Sequence, residues 1–265
     1  VLEVFTFNFN SFENTRSDKM TVSVDIKTSE VYDENDPYVN RDLRLYASIF
    51  LPPLGSYEGT KYNDIIYDCF KGANTADSYN KFALFNGYCP KKGCDPSITN
   101  NLGSTPTYTP IMRYAEVLLS YLEAVNESQP NAVDQNLLDL TINDIRDRVK
   151  LVGIKKTDVA TQELVREAVR KERRVELAFE GLRYYDVLRW GIAEKELNHT
   201  FTGVKLSDDP QARNYRGSGA TASPVDENMY YQFEKRTWAP HNRYFPIPQN
   251  DLNVNKNLKQ NEGYN

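Results

Sequence analysis

Acidic and basic side chains crowd together between Glu163 and Gly191, in the run ELVREAVRKERRVELAFEGLRYYDVLRWG. Glu172 and Glu176, flanking Arg173 and Arg174, are the residue types of a general acid–base pair, of a metal site, or of internal ion pairs. Their placement ranks these readings. Leu164, Val165, Ala168, Val169, Val175 and Phe179 recur at helical spacing. At about 100° per residue, Glu172 falls near the centre of that apolar face and Glu176 just inside its edge. A carboxylate there is costly unless a cation or several donors meet it. The run itself offers Arg173, Arg174, Arg183 and Arg189, so the structural reading leads: Glu172 and Glu176 are expected in internal ion pairs, with Arg183 and Arg189 among the partners, and neither catalysis nor metal binding is assigned to them.

Other chemistry is sparse. There is no GxSxG, HExxH, phosphate-loop or dinucleotide-binding fingerprint. Gly217-Ser218-Gly219 lacks the following helix and Lys-Ser/Thr of a phosphate loop. The two histidines, His199 and His241, lie in no nucleophile context. Glycoside hydrolysis needs only two carboxylates, and with 37 acidic residues it stays open as a lesser alternative. Asp33, Asn35 and Asp36 sit in an acidic turn without the glycine and distal Glu of an EF-hand, so a solvated turn is preferred to a calcium site. The cysteines number three: Cys69, Cys89 and Cys94. Cys89 and Cys94 bracket the turn-like Pro90-Lys91-Lys92-Gly93, which a disulfide closes in an oxidising compartment, whereas zinc lacks further ligands. No cofactor or metal is expected.

The elements that position these residues are chiefly helical. From Ile111 to Val125 apolar residues cover nearly the whole helix circumference, leaving a narrow polar stripe of Arg113, Glu116, Ser120 and Glu123 and predicting burial on most sides. A second helix runs from about Asp134 to Lys150, with Leu138, Ile142, Ile145 and Val149 on one face and Gly153 as the stop. A third, capped by Asp158 or Thr161, enters the acid–arginine run. Gly181 breaks it, and a fourth begins near Leu182 with Leu182, Tyr185, Val187, Leu188 and Trp190 to bury. Alternation at 4–10 and 21–26 suits short strands. Residues 50–109 form the longest irregular stretch, yet Tyr57, Tyr62, Tyr67, Phe70, Tyr79, Phe82, Phe85 and Tyr88 argue against disorder. Residues 194–239 read as polar loop, and Tyr244-Phe245-Pro246-Ile247-Pro248 as an extended tail that docks back on the helices. The organisation is one domain: a loop-rich aromatic segment 1–109, two helical hairpins 110–193, and a loop and tail 194–265.

Length and composition are those of a globular chain: 265 residues, 40% hydrophobic and 26% charged. The net charge of −5 speaks against a nucleic-acid partner, which calls for a basic stripe. No apolar run reaches the roughly 18 residues of a membrane span. The first residue is Val1, which fits a mature product or a fragment. The chain is rich in tyrosine, 18 in all, and tyrosine with asparagine makes a good surface for polar, ring-shaped ligands.

ERRVELAFEGLRYYDVLRWG (172–191) resembles the signature of the SusD/RagB family of outer-membrane nutrient-binding lipoproteins. RYAEVLLSYLEA (113–124) resembles an earlier helix of that family, and NRYFPIPQNDLNVNKNLKQNEGY (242–264) its C-terminal tail. NRDLRLYASI (40–49) is a weaker match in the same order. The resemblance implies a mainly α fold of tetratricopeptide-like helical hairpins with long irregular loops and minor short strands. It implies the C-terminal half of a protein about twice as long, its absent part carrying a secretion signal and a lipid-anchored cysteine at the cell surface. It also implies a non-enzymatic binder that hands an oligosaccharide to a SusC-like TonB-dependent transporter; an oligopeptide-binding member, a helical-repeat adaptor and a glycoside hydrolase are the alternatives. For a sugar ligand, aromatic faces and amide or acidic groups are needed together. Tyr32, Tyr38, Tyr57 and Tyr62, with Asn63 and the nearby Asn35 and Asn40, fit that requirement, whereas Trp190 and Trp238 are assigned to packing.

Overall fold

The structure, a computed structural model, describes residues 36–62, 65–67, 87–94, 110–205 and 225–264. The expected strands at 4–10 and 21–26, the acidic turn up to Asn35, and Phe70, Tyr79, Phe82 and Phe85 lie outside the described residues, as do Tyr32, Asn63 and Gly217-Ser218-Gly219.

Helix α1 (Leu43–Ser48) is capped by Asp42, whose carboxylate accepts the Arg44 N–H, and runs directly into β1 (Ile49–Phe50). Short strands β2 (Lys61–Tyr62) and β3 (Ile65–Ile66) pair with each other, and β4 (Cys89–Pro90) pairs antiparallel with β1. Helix α2 (Tyr114–Ser128) follows, then a single 3-10 turn at Pro130–Ala132. Asp134 caps α3 (Gln135–Leu138) by accepting the Leu137 N–H at 2.8 Å; a π turn (Asp139–Asn143) joins it to α4 (Asp144–Arg148), so the expected second helix is one rod with a π bulge at its centre. Its stop is Lys150, at φ 60°, rather than Gly153. Gly153 has a different task. A Cβ there would sit 3.2 Å from the Asn143 side chain, whose amide binds both the N–H and the C=O of Ile154.

Thr161 caps α5 (Gln162–Glu176) through the Leu164 N–H. The chain then turns through Phe179 and Gly181, both at positive φ, into α6 (Arg183–Arg189) and the short α7 (Ala193–Leu197). The region expected to be loop from 194 to 239 holds the longest described hairpin, β5 (Thr200–Lys205) against β6 (Tyr230–Lys235), with register shifts along it. Its polar sequence hid the alternation that buries Phe201, Val204 and Tyr231. A 3-10 turn (Pro240–Arg243) and α8 (Gln249–Val254) complete the tail.

Among the described residues two apolar clusters organise the fold. One is helical: Leu118, Leu119 and Leu122 of α2 meet Leu138, Ile142 and Ile145 of the bulged rod and Val165, Ala168 and Val169 of α5. α5 runs antiparallel to α2, since Asn126 meets Gln162 at one end and Ser120 meets Arg173 further along. The other cluster gathers Tyr38, Leu45, Ile49, Leu51, Tyr67 and Tyr88 with Val204 and Tyr231, and α5 reaches it through Val175. The early segment and the β5–β6 hairpin therefore share one core, on which the end of α5 is seated. Gly87, at φ +82°, lies so close to Val204 that a Cβ would approach it to 2.7 Å. The tail folds largely on itself, through Gln260 on both backbone groups of Ile247 and Tyr264 on the Tyr244 carbonyl, and touches the helices where Tyr184 meets Asn242 and Phe245. Among the described residues the fold is mainly helical, with few and short strands.

Candidate functional site

Glu172 and Glu176 lie on the inward face of α5, each 3% exposed. The oxygens of Glu172 accept from Arg44 at 2.5 Å and Arg146 at 3.0 Å. Those of Glu176 accept from Arg44 at 3.1 Å, Arg148 at 2.7 Å and Arg113 at 3.0 Å. Arg44 is itself braced by Asp42 at 2.6 Å. Every one of these cations comes from outside the acid–arginine run, which corrects the expectation of pairing within it. The run's own arginines serve other acids: Arg173 and Arg189 bind Asp186 at 3.0 and 2.8 Å, Arg189 also binds Glu123 at 2.5 Å, and Arg183 binds Glu196 at 2.7 Å. Helical geometry explains the exchange. Arg173 is turned about 100° from Glu172 and so faces α6, while the Glu172–Glu176 row faces α1 and the end of α4. Arg44, Arg146 and Arg148 are tied to α5 by no local spacing rule, so the sequence concealed them.

The electrostatics are those of a closed structural network. Burial alone would make the Arg44 guanidinium easier to deprotonate, but Glu172 and Asp42 outweigh it and hold the charge more firmly than usual. Burial raises the Glu180 carboxyl, yet Arg113 at 2.7 Å and Lys92 at 2.5 Å together bring it below its ordinary range. Arg174, which has the more distant Glu196 at 3.6 Å, is brought down to about 10 by burial and by neighbouring Arg183. Among the described residues no group of His, Cys, Asp and Glu is arranged to hold a metal ion.

The residues expected to bind ligand fare differently. Tyr38 is 0% exposed, with its hydroxyl against that of Tyr88 at 3.2 Å, so its ring has no face for a ligand and that expectation is corrected. Its place in the tight turn Asp36–Asn40 looked like a loop surface, but the turn folds inward onto β1 and β4. Tyr57 is half-buried, stacked on Tyr46 at 5.9 Å and edge-on to Tyr38 at 5.7 Å, with its hydroxyl bonded to Thr60. Tyr62 lies in β2, its backbone opposite Ile65, and its side chain is outside the described residues.

A groove of about 480 Å³ lies between α2 and α6, lined in part by Glu116, Ser120, Glu123, Arg173, Tyr185 and Arg189. Tyr185, expected in the core, is 61% exposed beside it, and Tyr121 of α2 is 55% exposed. The outward face of α2 is thus open, contrary to burial on most sides; a tyrosine counts as apolar in a periodicity although its hydroxyl tolerates water. The polar stripe Glu116–Ser120–Glu123, legible in the sequence, lines this groove. Glu123 is raised by burial but brought below its ordinary range by Arg189 and by the Trp190 indole N–H at 2.6 Å. An ionised carboxylate so bound is a hydrogen-bond acceptor rather than a proton donor. With an exposed ring, a hydroxyl, carboxylates and guanidinium groups, the groove has the chemistry for sugar rings and their hydroxyls. Trp190 itself is half-buried, with the Arg170 and Arg189 guanidiniums each 4.8 Å from its ring centre.

Comparison with known proteins converges on one family. The sequence model of the SusD family matches residues 6–264. A curated SusD-like protein P2 of Formosa agariphila is 35% identical over 95 residues, covering 34% of this chain and 18% of that protein. The crystal structure of a SusD-like carbohydrate binding protein from Bacteroides fragilis superposes with a TM-score of 0.75 at 30% identity, over 95% of this chain and 47% of that one. A second SusD-like protein of Bacteroides fragilis gives 0.64 at 27% identity, over 97% of this chain and 46% of that one. The chain thus spans about half the length of these solved relatives and less of the curated one.

Proposed function

Since the chain belongs to the SusD family, we propose that it is part of a non-enzymatic oligosaccharide-binding protein, held at the outer-membrane surface and passing its ligand to a TonB-dependent transporter. The observation that carries this reading is the likeness, over 95% of the chain, to a SusD-like protein described as carbohydrate binding. The groove beside Tyr185 and the aromatic segment holding Tyr57 and Tyr62 are the proposed contact regions. Two features of the chain support a binding role over catalysis: the buried carboxylates of α5, Glu172 and Glu176, are each paired with two or more arginines, and Glu123 in the groove is kept ionised by its donors.

Retardation of the protein in gels containing different polysaccharides tests the proposal. Retention by at least one glycan is expected, with no reducing ends released on prolonged incubation. Tyr185→Ala, Tyr57→Ala and Tyr62→Ala are each expected to weaken binding by about 1–2 kcal/mol where the ring stacks on sugar. Release of reducing ends would replace the binder with a hydrolase. Binding of peptides and of no glycan would replace the ligand class.

A further inference from the structure

We infer that Cys89 and Cys94 are a disulfide-forming pair that staples the β4 turn onto the end of α5. Both cysteines are thiols in this structure, and both are half-buried. Each Sγ is directed at the same acceptor, the Pro90 carbonyl oxygen, at 3.8 Å for Cys89 and 4.0 Å for Cys94. Both sulfurs thus lie within 4.0 Å of one oxygen. Rotation of the two side chains is the movement by which the bridge would form.

The turn is already shaped for closure. Cys94 N–H bonds to the Lys91 carbonyl at 2.9 Å, and Gly93 takes φ +88°, with nothing near the position of a Cβ. Its first strand is fixed by pairing with β1, and the Lys91 and Lys92 N–H groups both reach the Ser48 carbonyl. The turn also carries Lys92, whose ammonium donates to the Glu176 carbonyl at 2.8 Å and pairs with Glu180 at 2.5 Å. A bridge across 89–94 therefore restrains the residue that closes the C-terminal end of α5.

The reaction balances against an external disulfide. The thiolate of one cysteine attacks a sulfur of glutathione disulfide and expels one glutathione thiolate. The second cysteine then attacks the mixed disulfide and expels the other. The protein loses two protons and two electrons, and the oxidant leaves as two thiols. Burial raises the Cys94 thiol above its ordinary range, against a smaller opposing effect of Lys91, so the exchange accelerates with rising pH.

The test is to incubate the folded 265-residue chain with excess glutathione disulfide, block remaining thiols with N-ethylmaleimide, and map tryptic peptides. Cleavage after lysine and arginine places Cys69, Cys89 and Cys94 in three different peptides, 62–71, 82–91 and 93–113. The expected product is 82–91 linked to 93–113, with the Cys69 peptide alkylated. The oxidised protein should melt several degrees higher than the reduced protein, and dithiothreitol should abolish the difference. In Cys94→Ser and in Cys89→Ser, each a small change at a half-buried site, oxidant should leave the melting temperature unmoved. Three alkylated cysteines, a bridge through Cys69, or an 89–94 bridge without a change in melting temperature would each overturn the inference.

Discussion

Glu172 is the residue on which the interior charge balance turns. It is buried, it accepts from two arginines, and one of these, Arg44, is itself buried. Glu172→Ala leaves a guanidinium in the interior with part of its counter-charge gone, and should destabilise the protein by about 3–5 kcal/mol in equilibrium denaturation. Arg189→Ala should cost far less, about 1 kcal/mol or under, because 44% of that side chain is exposed and its ion pairs are screened. Acid acts at the same scale. Glu123 and Glu180 both hold folded-state values below their ordinary 4.5. The unfolded chain therefore binds more protons than the folded one through that window. Their contribution is complete above the unfolded value and is lost as the pH falls through the folded ones, so the urea midpoint should decline below about pH 4.5.

At the level of elements, local rules were legible and long-range ones were not. Thr161 was one of two candidate caps, and its hydroxyl accepts the Leu164 N–H. Thr161→Ala should cost about 1 kcal/mol, measurable as a shifted denaturant midpoint at constant slope. The apolar rows of the bulged rod and of α5 also stood out, because a period is a property of neighbours in the chain: Leu138, Ile142 and Ile145, and Val165, Ala168 and Val169, share one cluster. By contrast the π bulge at Asp139–Asn143 leaves no mark in the apolar period, and the Asn143 amide at its end binds both backbone groups of Ile154, 11 residues further along. The β5–β6 hairpin escaped notice for a like reason, since Val204 is buried by Tyr38, Tyr88 and their neighbours rather than by anything near it in sequence. In the candidate site the polar stripe of α2 was readable, but the exposure of Tyr121 and Tyr185 was not. Whether a tyrosine points into a core or along a groove is set by what packs opposite.

For the whole molecule, the arginines around α5 come from segments far apart in the chain. Arg44 is 128 residues from Glu172, and Arg113 is 63 from Glu176, whereas Arg146 and Arg148 are within 28. Until those groups arrive, the acids of α5 are better off in water than in a core. These separations predict an order of assembly. On that order the α2–α5 helices collapse first on their shared apolar cluster, with Arg146 and Arg148 at hand, and the Arg44 segment closes over them last. In stopped-flow experiments, Arg44→Met should accordingly leave the refolding rate nearly unchanged and raise the unfolding rate, because the interaction it removes forms after the barrier. On that order, hydrated carboxylates on a helix otherwise destined for the interior would also keep the half-assembled chain from presenting a continuous greasy face to other chains. The same pair of glutamates, a latch in the finished protein, would then be a solubilising tag while it is being made.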